Sequence, residues 1–215
     1  MGQTKACLVD VYETLIAYDF EAHTREMAAV AGADLEAWRR TQIAMEPEWD
    51  SGGLAMDAAI TRMLAECGIG ADPELVERLV RADAEWMAAG CALYPDSVPF
   101  LRELRTRGLK IALVSNCAED TRPLLARLEL TGLADEAILS CEVGTPKPSP
   151  EIYQRALDAL GVPAAEAVMI DDQPRYCAGA EAVGIRAIQI ARNGRQPDPR
   201  FTPVASLLDI PPILG

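Results

Sequence analysis

Five short apolar runs punctuate this 215-residue chain, at residues 6–9, 110–114, 137–139, 167–170 and 187–190. Runs this short read as strands buried on both faces. Helical spacing precedes each of the last four. One pattern covers about 97–107 and is closed by Gly108; another covers about 119–130 and is closed by Gly132. A third opens at Ser149-Pro150, an N-cap followed by a first-turn proline, and ends at Gly161, and the last runs to about 183 before Gly184. Strands alternating with helices predict β-α-β units and a parallel sheet.

Between the first run and Tyr94 the rhythm changes. Residues 18–90 carry helical segments only, near 21–30, 34–45 and 54–67 and from Asp72-Pro73 to Gly90. The last of these sets Leu75, Val76, Leu79, Val80, Trp86 and Met87 on one apolar stripe. The expected architecture is therefore α/β: a Rossmann-like parallel-sheet core from residues 1–17 and 91–215, with an all-helical cap, 18–90, over its catalytic face. An added bundle that only enlarges the core is the alternative. Beyond Asn193 the chain is proline-rich, with one short element near 206–209.

Charge and cysteine content remove several classes of function. The net charge of −13 repels phosphate backbones and anionic lipid, so neither nucleic acid nor membrane is an expected partner, and a small-molecule substrate is. A small anionic substrate would need cationic help inside its site. No apolar run reaches membrane-spanning length. Six scattered cysteines form no CxxC pair and His23 is the single histidine, which argues against zinc. Free thiols and the lack of a leader-like pattern predict a cytoplasmic protein, monomer or homodimer.

Open parallel sheets bind ligands beyond the carboxyl ends of their strands, so the residue after each run is the informative one. These are Asp10, then Ser115 and Asn116, then Lys147 in a turn after the third run, then Asp171-Asp172. Singly each is an ordinary cap or turn residue. Four at successive strand ends make a site. The segments DVYETL (10–15), LVSN (113–116), KPSPEIY (147–153) and MIDDQ (169–173) ahead of AGAEAVG (178–184) resemble the haloacid dehalogenase-like (HAD) hydrolase superfamily, in its helical-cap branch.

That resemblance implies Asp10 as carboxylate nucleophile, Ser115 and Asn116 binding the transferring group, Lys147 neutralising charge and Thr14 supporting the first loop. It implies Mg²⁺ held by Asp10, the Tyr12 backbone carbonyl, Asp172 and Asp171. A carboxylate attacking an anionic phosphate needs such cations, and two carboxylates about 4 Å apart repel by roughly 4 kcal/mol at an effective dielectric near 20.

The pattern breaks at Tyr12, where phosphatases of this superfamily carry a second Asp as general acid and base. A phenol is a poor base at neutral pH. Glu13, where the family usually has Gly, is a possible substitute, and Tyr176 stands where many members carry Asp or Asn. Asp-x-Tyr-x-Thr instead resembles the 2-haloacid dehalogenases, whose halide leaves without a proton. Arg39, in Trp38-Arg39-Arg40-Thr41-Gln42-Ile43, matches their substrate-cradling Arg, and Tyr153 follows Lys147 at their spacing; a solvated Arg39 and a core Tyr153 are the plain readings.

Those enzymes work without metal and lack the acidic pair. The expected activity is thus a Mg²⁺-dependent phosphatase acting through an aspartyl-phosphate at Asp10. A metal-independent dehalogenase and a catalytically weakened ligand-binding protein are the alternatives. Arg40, Trp38 and His23 join Arg39 as cleft candidates; Trp38, Trp49 and Trp86 read first as packing residues.

Overall fold

The computed structural model describes residues 3–194 and 196–214. The chain begins with β1 (Ala6–Val9) and β2 (Ile16–Ala17), then four helices, α1 (Phe20–Ala31), α2 (Leu35–Asp50), α3 (Met56–Glu66) and α4 (Pro73–Gly90). It continues through β3 (Ala92–Leu93), α5 (Ser97–Thr106), β4 (Lys110–Ser115), α6 (Thr121–Arg127), β5 (Glu136–Leu139) and α7 (Ser140–Val143). The remainder is α8 (Pro150–Leu160), β6 (Ala167–Asp171), α9 (Pro174–Ala182), β7 (Arg186–Ile190) and β8 (Thr202–Val204). Strands lie in the order β5-β4-β1-β6-β7-β8, every pairing parallel. This is the Rossmann-like α/β architecture that the apolar runs predict.

Side-chain alternation along the strands divides the core in two. Cys7 and Val9 of β1, Ile111 and Leu113 of β4, and Val168 and Ile170 of β6 share one cluster with Phe100, Leu101 and Leu104 of α5. Ala6 and Leu8, Ala112 and Val114, Ala167 and Met169 face the other way, onto Ile152, Tyr153 and Ala156 of α8. Burial on both faces explains why these strands read as continuous apolar runs.

The four inserted helices own a third cluster, built on Trp38, Met45, Ile60, Met63, Leu64 and Leu79. Asp19, Asp34 and Asp72 cap α1, α2 and α4 by accepting from the backbone N–H of Ala22, Ala37 and Glu74. The two ends of the insert are tied by the antiparallel pair β2–β3, Ile16 opposite Leu93. Two-residue strands leave too little periodicity for the sequence to announce them.

Two other elements depart from expectation. Helix α2 runs through Pro47 to Asp50 rather than stopping near 45. A proline removes one N–H and crowds the preceding turn, but the turn beyond it presents Trp49 and Asp50 to a cleft described below. β8 extends the sheet from the proline-rich tail. An edge strand tolerates Pro203, whose missing N–H costs no ladder bond on its open side.

Candidate active site

The site forms where the strand order reverses. Central β1 has β4 on one side and β6 on the other, so Asp10, Ser115 and Asp171 emerge together at the carboxyl edge. The Asp10 N–H donates to the Ile170 carbonyl at 2.9 Å, which prolongs the β1–β6 ladder and fixes the start of the first loop. Asp10, Asp171 and Asp172 are all buried, and carboxylate oxygens of the three lie within 4.8 Å of one another.

Lys147 arrives from the loop between α7 and α8. Its ammonium, wholly buried, donates to Asp10 Oδ1 at 2.6 Å and to Asp171 Oδ2 at 2.7 Å. The Asn116 side chain holds this loop: Oδ1 accepts from the Lys147 N–H at 2.6 Å and Nδ2 donates to the Lys147 carbonyl at 2.9 Å. Gly179 lets α9 lie against the same loop, for a Cβ there would stand 2.8 Å from Pro148 Cβ and 2.9 Å from Tyr153 Oη. Burial opposes the charge on Lys147, but Asp10 and Asp171 outweigh it and hold its pKa above the ordinary lysine value. Burial pushes the Asp171 carboxyl up, against the pull of Lys147. Asp171 Oδ1 accepts from the Gln173 N–H at 2.8 Å. Asp10 Oδ2 is buried with no hydrogen-bond partner among the described residues.

A cleft of about 810 Å³ lies over this cluster, lined by Asp10, Lys147 and Asp172 from below and by Tyr18, Trp49 and Asp50 from the inserted segment. Gly52, at φ +68°, lets the end of α2 reach the core: a Cβ there would lie 2.1 Å from the Cys141 carbonyl.

The other residues singled out from the sequence divide between this cleft and other places. Asn116, Tyr12, Tyr176, Trp49 and His23 line it. Ser115 is buried beneath it, its hydroxyl donating to the Asn116 carbonyl at 3.2 Å. Thr14 is buried, its carbonyl accepting from Arg192 at 2.9 and 3.1 Å, and its Oγ1 has no partner among the described residues. Arg39 is not brought to the cleft; its guanidinium pairs with Glu21 and Glu36 on the insert. Arg40 is exposed, Trp38 packs in the insert core, and Tyr153 is fully buried, donating to the Tyr176 carbonyl at 2.7 Å.

Neither alternative acid in the first loop is available. The Tyr12 phenol is hydrogen-bonded to Thr121 Oγ1 at 2.9 Å, and burial, aided by Asp120, drives its pKa well above the usual phenol value. Glu13 adopts φ +59°, the conformation for which a glycine is the ordinary choice. Its carboxylate accepts from the Tyr18 N–H at 2.7 Å, the Asn193 amide at 3.0 Å and the Tyr94 hydroxyl at 3.3 Å. These bonds hold the strained loop and occupy the carboxylate.

Sequence reasoning missed Arg192, which clamps Thr14 while pairing with Asp96 at 2.8 Å, and the cleft carboxylates Asp50 and Asp120. Burial, with help from neighbouring carboxylates, pushes Asp50 and Asp120 up to about 6 each.

A parallel α/β sheet with a buried lysine among three carboxylates at its switch point defines a class of hydrolytic fold. The chain belongs to the haloacid dehalogenase-like hydrolases, whose family profile matches residues 4–184. It is 29% identical over 216 residues to Phosphatase MT3486 of Mycobacterium tuberculosis, covering 94% of each chain. It is 28% identical over 228 residues to (S)-2-haloacid dehalogenase 4A of Burkholderia cepacia, covering 98% of this chain and 95% of the other. Its fold is similar to that of a 2-haloacid dehalogenase from Pseudomonas syringae pv. Tomato DC3000, at a TM-score of 0.75 with 21% identity and 98% of both chains covered. Phosphatases and dehalogenases thus stand side by side among its relatives.

Proposed function

We propose that this hydrolase cleaves small phosphomonoesters, with Asp10 as nucleophile and Mg²⁺ as cofactor. The observation behind the reading is the crowding of three buried carboxylates around one ammonium. At 4.8 Å each carboxylate pair repels by about 3.5 kcal/mol at an effective dielectric near 20. Asp10 and Asp171 share one ammonium, so that pair keeps a net negative charge that a hard divalent cation neutralises, with Asp172 beside it as a third oxygen donor. The donor set fits: it is all oxygen, as magnesium prefers, and Asp10 Oδ2 is a buried acceptor with no hydrogen-bond partner among the described residues. Asp10, Asp171, Asp172 and the Tyr12 carbonyl would hold the ion, which when bound offsets charge on the phosphoryl oxygens.

In this reading the Asp10 carboxylate attacks phosphorus and the bond to the leaving alcohol oxygen breaks, that oxygen taking its proton from solvent water in the cleft. Lys147 compensates the charge of the site, Asn116 positions it through the two bonds to its backbone, and Ser115 binds the phosphoryl group once its hydroxyl turns from the Asn116 carbonyl. Water then hydrolyses the aspartyl-phosphate, releasing inorganic phosphate and restoring Asp10. Residues 18–90 act as the cap over a core of 1–17 and 91–215. Among the described residues no helix is long and apolar enough to cross a membrane. Six free cysteines accord with a reducing cytoplasm.

One observation favours a second reading, metal-free 2-haloacid dehalogenation: the tied-up Tyr12 phenol offers no proton, and a halide needs none. Against it, Arg39 is engaged elsewhere and two extra carboxylates confront an anionic substrate.

A paired screen of phosphorylated metabolites and 2-halo-acids, each with Mg²⁺ and with chelator, separates the two. Phosphate release that vanishes in EDTA and in Asp10→Asn is expected. Halide release that persists in EDTA would overturn the reading.

A further inference from the structure

The cleft over Asp10 is lopsided in charge. Among its described lining residues nine are aspartate or glutamate and one, Lys147, is lysine. Several of the acids are accounted for locally: Asp19 caps α1, Glu21 pairs with Arg39, and Glu13 holds the first loop. Others are not. Among the described residues no lysine or arginine pairs with Glu46 or Asp120, Asp50 is bonded to the Asn116 side chain and feels Arg175 and Lys147 without an ion pair, and Asp83 has only His23 Nε2, at 3.0 Å.

Aromatic rings accompany the acids. Tyr12, two residues beyond the nucleophile, has its ring centroid 5.6 Å from that of Tyr18; Tyr18 stands 5.8 Å from His23, and His23 5.7 Å from Trp86. Asp120 adjoins this row: it neighbours Thr121, which is bonded to the Tyr12 hydroxyl, and its charge is felt by both Tyr12 and Tyr18. Ring faces are negative and attract cations, and uncompensated carboxylates do so more strongly. At the reacting end, Asp10 Oδ2 is a buried acceptor with no partner among the described residues, and Asp10 lines the same cleft.

We infer that the preferred substrate is a phosphomonoester whose alcohol carries an ammonium group, seated between the Tyr12–Tyr18 rings and Asp120 with Asp83 behind. The inference rests on the phosphatase reading for the fate of the phosphoryl end, and adds what the other end must be. A substrate with a second anion meets like charges throughout this wall; one with a neutral alcohol leaves the acids uncompensated. The carboxyls of Asp50 and Asp120 are already driven up by burial and by neighbouring acids, the condition that a bound cation relieves.

The test uses three esters of nearly equal size: 2-aminoethyl phosphate, 2-hydroxyethyl phosphate and phosphoglycolate, with p-nitrophenyl phosphate as a control whose leaving group carries no ammonium and needs no proton, all with Mg²⁺. The wild-type kcat/KM is expected to favour the amine over the hydroxyl ester at least tenfold, with phosphoglycolate poorest. Asp120→Asn is expected to shrink the amine-to-hydroxyl ratio severalfold, and the ratio is the readout whatever happens to the rate. An equal or reversed ratio, or turnover of p-nitrophenyl phosphate with none of the amine ester, overturns the inference and leaves the phosphatase reading standing.

If no phosphate ester is turned over, the phosphatase reading fails by itself. Calorimetric binding of the same three esters to Asp10→Asn then decides the inference separately. Tighter binding of the amine ester upholds it, and indifference among the three sinks it.

Discussion

Replacing Lys147 by Met keeps most of the side-chain volume and deletes the ammonium that faces Asp10 and Asp171. At 2.6 and 2.7 Å each contact is worth about 6 kcal/mol of Coulomb energy at an effective dielectric near 20. Dehydrating three buried ions offsets most of that attraction in the intact cluster. In the variant the dehydration cost of the carboxylates stays and the attraction goes, and breaking a buried pair in this way costs about 3–5 kcal/mol. Burial already pushes the Asp171 carboxyl toward its neutral form, so uptake of a proton there caps the loss, and the expected figure is near the lower end. Urea unfolding followed by circular dichroism at neutral pH in EDTA measures it. Added Mg²⁺ should recover more stability in Lys147→Met than in the wild type, because the variant cluster carries one more uncompensated charge. Turnover should fall by at least about 10²-fold even where the fold is restored. A variant that unfolds at the wild-type urea midpoint in EDTA would refute the argument, since the carboxylates would then not share a low-dielectric site.

Asn116→Ala removes both hydrogen bonds that hold the Lys147 backbone and should cost about 1–3 kcal/mol in the same unfolding assay, with kcat reduced more than KM is raised. Arg39→Ala breaks only partly exposed ion pairs on the insert, so stability should change by less than about 1 kcal/mol and phosphatase kcat/KM by less than about threefold; a loss beyond about a hundredfold would return Arg39 to the cleft and revive the dehalogenase reading. Asp120 is raised to about 6 in the fold, so its contribution to stability is present in full below its unfolded value of 3.8 and is lost as pH rises through 6. Asp120→Asn should therefore stabilise the unliganded protein at pH above 7, by up to about 3 kcal/mol, and the gain should fade toward pH 5; thermal melts across that window that show no pH-dependent difference between the two proteins contradict it.

Much of this was written in the linear order of residues. Each central strand is buried on both sides, so its residues are largely apolar, and all five runs fall within a residue of the observed strands. Loss of the strand signal between 18 and 90 located the inserted helices for the same reason. The nucleophile candidate, Lys147 and the acidic pair were visible because a parallel sheet delivers its ligands at strand ends, and that position is fixed by local pattern. Their convergence to within 4.8 Å followed from strand order, which local pattern does not encode: β1 had to be threaded between β4 and β6. The fates of Glu13 and Arg39 were likewise decided at a distance, by Tyr94 and Asn193 in one case and by Glu21 across two helices in the other. Most of all, the charge of the cleft was hidden. Asp50, Asp83 and Asp120 lie on three separate elements and look like ordinary surface acids, and only the packing of the insert over the sheet edge assembles them around one space. Burial patterns are local and survive in sequence, whereas an electrostatic environment is a sum over residues that folding alone brings together.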